Sequence, residues 1–466
     1  MLDNQNLTEP GKWTPERIAL VTRNTTIVVV AGILLGVFAV AANLYYVAAV
    51  VGAALLVAIV AWQFEAALVI YVIVAFVPWG RTPDLAMGGS GAGKGVYISE
   101  IMLCFLLVVW LGRYLLGALP KQRISSGYYI PIAIYLAYSL LNVVNSYLFW
   151  DPHVNRIYQH PMVNIVELVL RFLSAGALVM VATSVSSRKW LRYITIAMMV
   201  PGLYNMLNAS IGGPIPICAP WWPLVAVFPV GYMWATAMQS GASRWHKVIA
   251  ILGVMLAIFT IFYRSVSWVS GWFCLFVCLG TITALHSRRF FVLLLMVILI
   301  VTFTAWPFIH KNVVIGSQEE GDYNRFALMA DAWKYATTFP LGVGLGNYRT
   351  YNSFYYSQKW GSMVFTSAHG TYSQHLAEMG IPGFILLIMI LGSGFTWVLR
   401  EYRRKNDRFL LAILGQMAGI SAAAFIGDYI IPTYHNGGLT TFSTTVYSWL
   451  IWGLAIAYVR ISKVAE

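Results

Sequence analysis

His369 is the residue in this sequence best suited to move a proton. It lies in the run SAHGTYSQHLAEMGIPGF, just ahead of an apolar segment that begins near Met379. An imidazole takes up a proton near neutral pH, as a general base must. His375 and Glu378 follow it, but on a helix starting near Thr371 they point inward and read as polar packing. Three arginines could hold an anion. Arg171 lies inside an apolar segment one turn after Glu167, so an i,i+4 ion pair competes with a functional role. Arg264 lies where two apolar segments meet, and Arg325 opens an amphipathic run. A guanidinium suits a diphosphate because its planar fork donates two hydrogen bonds and stays charged. Metal chemistry is not indicated. There is no HExxH, no CxxC and no DxD pair, and Cys104, Cys218, Cys274 and Cys278 suggest no disulfide framework.

The elements that must position these residues are membrane spans. The chain has 466 residues, 59% of them hydrophobic and 10% charged; a soluble domain carries about 25% charged residues. A span needs roughly 20 apolar residues. Fourteen candidate runs lie between residues 25 and 460, with three crowded at 25–42, 45–61 and 63–79. The expectation is an all-α integral membrane protein of about 12–14 transmembrane helices. No cleavable signal peptide is visible, so the first span directs insertion. Net charge +13 invites a nucleic-acid reading, but most of the 30 Lys and Arg residues fall in alternate connections when both termini are placed in the cytoplasm. The basic excess is then a topology signal, which removes the nucleic-acid reading.

That alternation leaves one large outside segment, residues 310–378, between N-terminal spans in 1–309 and C-terminal spans in 379–466. Smaller outside loops include the glycine-rich 80–96. Within the large loop, residues 325–339 show helical spacing, with Asn324 as N-cap, Pro340 as terminator and Phe326, Met329, Ala330, Trp333 and Ala336 on one face. Gly342, Gly344 and Gly346 read as a tight turn and not a phosphate loop, since the GK[ST] ending is missing. Tyr348, Tyr351, Phe354, Tyr355, Tyr356 and Trp360 read equally as an interfacial belt or as a stacking surface for sugar rings.

The pattern His369-Gly370, nine residues, Gly380, two residues, Gly383 resembles the histidine motif of the O-antigen ligase family, which is related to O-antigen polymerases. The family usually has Asn, Ser or Gln where Gly370 stands. The run Arg325, Trp333, Pro340, Gly342, Gly344 resembles the family's approach to that histidine. Tyr263-Arg264-Ser265 with Trp268 resembles its arginine-bearing helix start, with Tyr263 in place of a serine. The resemblance covers roughly residues 255–400. It implies a GT-C-like, metal-independent inverting glycosyltransferase that needs no cofactor. The donor would be a glycan on undecaprenyl diphosphate, and the acceptor a hydroxyl of the lipid A-core or of another lipid-linked glycan. It implies His369 as the catalytic residue and Arg264, Arg325 and Arg171 as diphosphate-binding residues, facing the periplasm from a bacterial inner membrane. A polymerase of the same superfamily is the alternative. A polysaccharide transporter or flippase is the alternative of another class. It would need charge through the bilayer midplane, where Arg171, Glu167 and Glu65 are the few candidates, and no internal repeat supports one.

Overall fold

The structure is a computed structural model. It describes residues 59–60, 63–76, 98–117, 126–156, 160–212, 222–264, 269–304, 306–311, 325–360, 368–433 and 442–465. The apolar run 25–42, most of 45–61, the 80–96 loop and Asn324 lie outside the described residues. The chain divides into two compact units, Met1–Ile70 and Tyr71–Glu466. The second holds His369 and the three candidate arginines.

Every regular element among the described residues is helical. Twelve of the fourteen apolar runs match helices: α1 (Phe64–Phe76), α2 (Ile98–Leu115), α3 (Ser126–Leu148), α4 (His160–Ser184), α5 (Arg188–Ile211), α6 (Trp222–Met238), α7 (Arg244–Arg264), α8 (Val269–His286), α9 (Arg288–Thr304), α12 (Thr371–Lys405), α13 (Arg408–Ala423) and α14 (Phe442–Ala465). The large loop supplies α10 (Arg325–Thr338) and α11 (Tyr348–Trp360). Among the described residues seven helices, α3, α4, α5, α7, α8, α12 and α14, are long and apolar enough to cross a membrane, and α1, α6 and α13 are shorter apolar helices. The chain is an all-α integral membrane protein.

Short polar links close one face of the bundle. Between α12 and α13 the link is two residues. Asn406 adopts the left-handed conformation (φ 47°) that ends α12, and the Asp407 carboxylate accepts from Phe409 N at 2.8 Å to cap α13. Ser187 caps α5 in the same way. In the interior α8 packs on α13, α4 on α14 and α3 on α12. Small residues permit these crossings: a Cβ at Gly419 on α13 would run into the Cys274 carbonyl on α8. Trp452 Nε1 donates to Gln416 Oε1 at 3.0 Å and Gln416 Nε2 to Ser448 at 2.9 Å, so α13 and α14 share a satisfied polar contact.

Two expectations are corrected. The buried face of α10 is Leu328, Ala332, Tyr335 and Ala336, while Trp333 is 61% exposed. Apolar residues surround this helix on several sides, so periodicity alone did not select the packed one; a tyrosine-rich core beside it did. The run 409–430 is not helical throughout: α13 ends at Ala423, and residues 424–433 form an irregular, mostly buried stretch.

Candidate active site

A break in α12 organises the site. Pro382 has no N–H to give the Glu378 carbonyl, and Gly380 leaves helical geometry (φ 65°, ψ −166°). The carbonyls freed by the break are taken up by the glycine turn that follows α10. Val343 N donates to Ala377 O and Gly344 N to Glu378 O, both at 2.9 Å, while Ile381 N donates to Pro340 O at 3.0 Å. Gly342 also has positive φ (83°), and a Cβ there would collide with the Glu378 carbonyl. Asn142 on α3 donates to Leu341 O at 3.1 Å and Tyr138 to Met379 O at 2.9 Å. Asn164 on α4 donates to Leu345 O and, at 3.1 Å, to Asn347 Oδ1. The turn read from sequence is thus a buried plug joining α3, α4 and α12.

His369 stands at the corner where the large loop enters α12. It is partly exposed and has φ 48°, a left-handed conformation uncommon for a residue with a side chain. The corner is held by the stretch after α13. Thr371 N donates to Ala424 O at 2.9 Å and to Gly427 O at 3.1 Å. The Thr371 hydroxyl donates to Gly427 O and accepts from Tyr429 N, both at 3.1 Å. These contacts satisfy the first free N–H of α12. They also explain Gly370: a Cβ would lie 2.6 Å from the Phe425 carbonyl. Gly370→Asn should therefore lower stability by about 1–3 kcal/mol through overpacking and reduce activity with it. Thermal unfolding of the purified variant measures the first effect. An unchanged unfolding temperature would show that the stretch yields freely.

Asp428 lies in this stretch, 1% exposed, between the two residues bonded to Thr371. It puts a buried carboxylate beside the His369 corner. Sequence reasoning passed over it by extending a span to residue 430. The available signal was a lone acid at the end of an otherwise apolar run.

Behind the corner is a fully buried polar network. Gln374 Oε1 accepts from Ala368 N at 2.9 Å, and Gln374 Nε2 donates to Glu378 Oε1 at 2.5 Å. Arg171 donates to the Glu167 carboxylate at 2.7 Å and to Tyr135 at 3.2 Å, and stands 3.8 Å from Glu378. His375 Nδ1 faces the Thr371 carbonyl at 2.8 Å and so carries a proton. Its Nε2 therefore accepts from Tyr135, 2.6 Å away. Arg171 and both its carboxylate partners have fully enclosed side chains. The geometry offers Arg171 a place inside this network, which ties α4 to α12, and not an open anion site. The i,i+4 pair with Glu167 is present.

The aromatic stretch divides. Tyr348 and Tyr351 are buried with Tyr335, Val343 and Ala368 in a compact core, so neither a membrane belt nor a sugar platform describes them. Tyr355 is 37% exposed. It donates to Asp151 Oδ2 at 2.6 Å, clasping α11 to the segment after α3, where Asp151 N also donates to Tyr351 at 3.0 Å. The Tyr355 hydrogen bond, then those from His153, hold the Asp151 carboxyl below its usual range. A depressed carboxyl contributes stability that is complete above the unfolded-state pKa and is lost as pH falls through the folded one. Hydrogen exchange over 149–156 should therefore quicken below the ordinary carboxylate range. Tyr355→Phe should quicken it already at pH 7, and equal protection in the two proteins would remove the clasp.

Arg264 is the last residue of α7 and Arg325 the first of α10; the side chains of both lie outside the described residues. Elements that follow them in the chain make contacts of their own. Ser270, in the first turn of α8, shares a 2.6 Å hydrogen bond with Tyr429, which itself bonds Thr371. Helix α10 packs on α12.

Residues 223–388, from α6 into α12, match the family model described as O-antigen ligase. That segment includes Arg264, Arg325, the glycine turn and His369, and excludes Arg171. No curated protein matches the chain.

Proposed function

We propose that this protein is a membrane glycan ligase. It transfers a glycan from undecaprenyl diphosphate to a hydroxyl of a lipid A-core acceptor at the periplasmic side of the inner membrane, with both termini in the cytoplasm. The observation that carries the reading is His369. It is partly exposed, held in a left-handed conformation at the entrance to α12 and lies inside the family match. His369 accepts or orients the proton of the attacking hydroxyl while the C–O bond to the diphosphate breaks. The new glycosidic bond forms on the opposite face of the anomeric carbon, inverting it. Undecaprenyl diphosphate departs with its charge balanced by Arg264 and Arg325. No metal enters these steps.

The test is transfer by purified protein from an undecaprenyl-diphosphate glycan to lipid A-core, with EDTA present. Product with the inverted linkage is expected, and Arg264→Ala and Arg325→Ala should each reduce it at least tenfold. Elongation of the donor glycan with no transfer to lipid A-core would instead make the protein a polymerase.

A further inference from the structure

The bundle holds a cavity that His369 does not line. It measures about 530 Å³ and lies where α5 and α13 begin and α14 ends. Helix α13 starts at this cavity and finishes at the stretch that grips Thr371. The cavity and the His369 corner therefore lie at opposite ends of α13.

Arg188, Arg192 and Arg408 line the cavity. Positive residues are common on the cytoplasmic face, but their convergence on a cavity is a separate fact. Among the described residues no carboxylate lies within 4 Å of any of the three guanidiniums. Asp407 is the acid in the wall, and it already caps α13. Arg408 is steadied over the Tyr232 ring, 5.4 Å from its centroid. Leu191, Met199, Phe409 and Ile461 line the rest with apolar surface. From Arg188 to Met199 the α5 wall descends eleven residues, about 16 Å at the helical rise. A cationic mouth over an apolar shaft of that depth fits an amphiphile with its phosphate at the arginines and its chain below.

We infer that this cavity binds an anionic phospholipid of the leaflet opposite the His369 corner, with the phosphate at Arg188, Arg192 and Arg408. Basic pockets between transmembrane helices recognise lipid head groups by this chemistry. The lipid bridges α5, α13 and α14, so its occupancy bears on the helix whose far end holds the His369 corner.

Native mass spectrometry of the full chain in detergent, titrated separately with phosphatidylglycerol and phosphatidylcholine, tests this. One phosphatidylglycerol should be retained at concentrations where phosphatidylcholine is not. Arg188→Gln/Arg192→Gln/Arg408→Gln should weaken retention at least tenfold. If that variant fails to fold, Thr195→Trp, which fills the shaft and keeps the charge, should lower retention alone. Equal retention of the two lipids, or unaltered retention by a folded variant, overturns the site. Displacement by millimolar inorganic phosphate would make it a phosphate site and overturn the lipid assignment. None of these outcomes depends on glycan transfer, so the result is independent of the proposed ligase activity.

Discussion

His369→Ala should nearly abolish glycan transfer while leaving the protein folded and inserted. A positioned general base contributes about 10²–10⁴ in rate, and the variant should lose that amount. His369 is partly exposed at the corner, and the contacts that hold the corner are made by Ala368, Thr371 and the stretch after α13. Removing the imidazole leaves those hydrogen bonds intact. His375→Ala is the informative contrast. His375 is fully buried and bonded at both ring nitrogens, so its loss should appear as lower stability. The measurement is initial transfer rate and unfolding temperature for both variants, side by side. Transfer within a few-fold of normal in His369→Ala would end its assignment, and Asp428 would become the leading candidate.

What the sequence made legible follows from how each feature is encoded. Spans are written in composition, because twenty residues of hydrocarbon demand apolar side chains whatever the neighbours are; twelve expected runs are helices. The turn at Gly342–Gly346 is local backbone chemistry, so residue types announce it; the break at Gly380 and Pro382 carries the same kind of signal but was passed over, because the apolar run continues through it. Facing is different. Which side of α10 packs depends on Tyr348 and Tyr351, which arrive from a later helix, and nothing within 325–339 specifies them. The network of Tyr135, Glu167, Arg171, Gln374, His375 and Glu378 joins three helices separated by up to 240 positions. Sequence placed Arg171 next to Glu167 but could not see Tyr135 or Glu378 beside it. Asp428 was hidden for a related reason: its importance lies in a contact between residues 424–429 and 370–371, and its own segment looks like the end of a span. The crowding at Gly370 is a second product of that contact, and it gives a physical reason for a glycine there.

Arg171→Met should be among the most destabilising single changes in the chain, and its cost should fall on folding rather than on chemistry. The substitution leaves Glu167 and Glu378 enclosed with no cation between them. Removing one partner of a buried ion pair costs about 3–5 kcal/mol, because a charge stays buried without compensation. Tyr135 would also lose the donor to its hydroxyl, loosening the contact to His375. The same reasoning predicts rescue. Adding Glu167→Gln and Glu378→Gln to Arg171→Met removes the stranded charges, and replacing a whole buried ionic set can be nearly neutral. The triple variant should recover most of the lost unfolding temperature. If it also recovers transfer, Arg171 is a positioning residue that holds α4 against α12 behind the His369 corner. A direct role in holding the diphosphate predicts a different pattern: Arg171→Met keeps its unfolding temperature and loses transfer, and the two glutamine substitutions restore nothing. Unfolding temperature and initial rate, measured on the single and triple variants, separate the two roles.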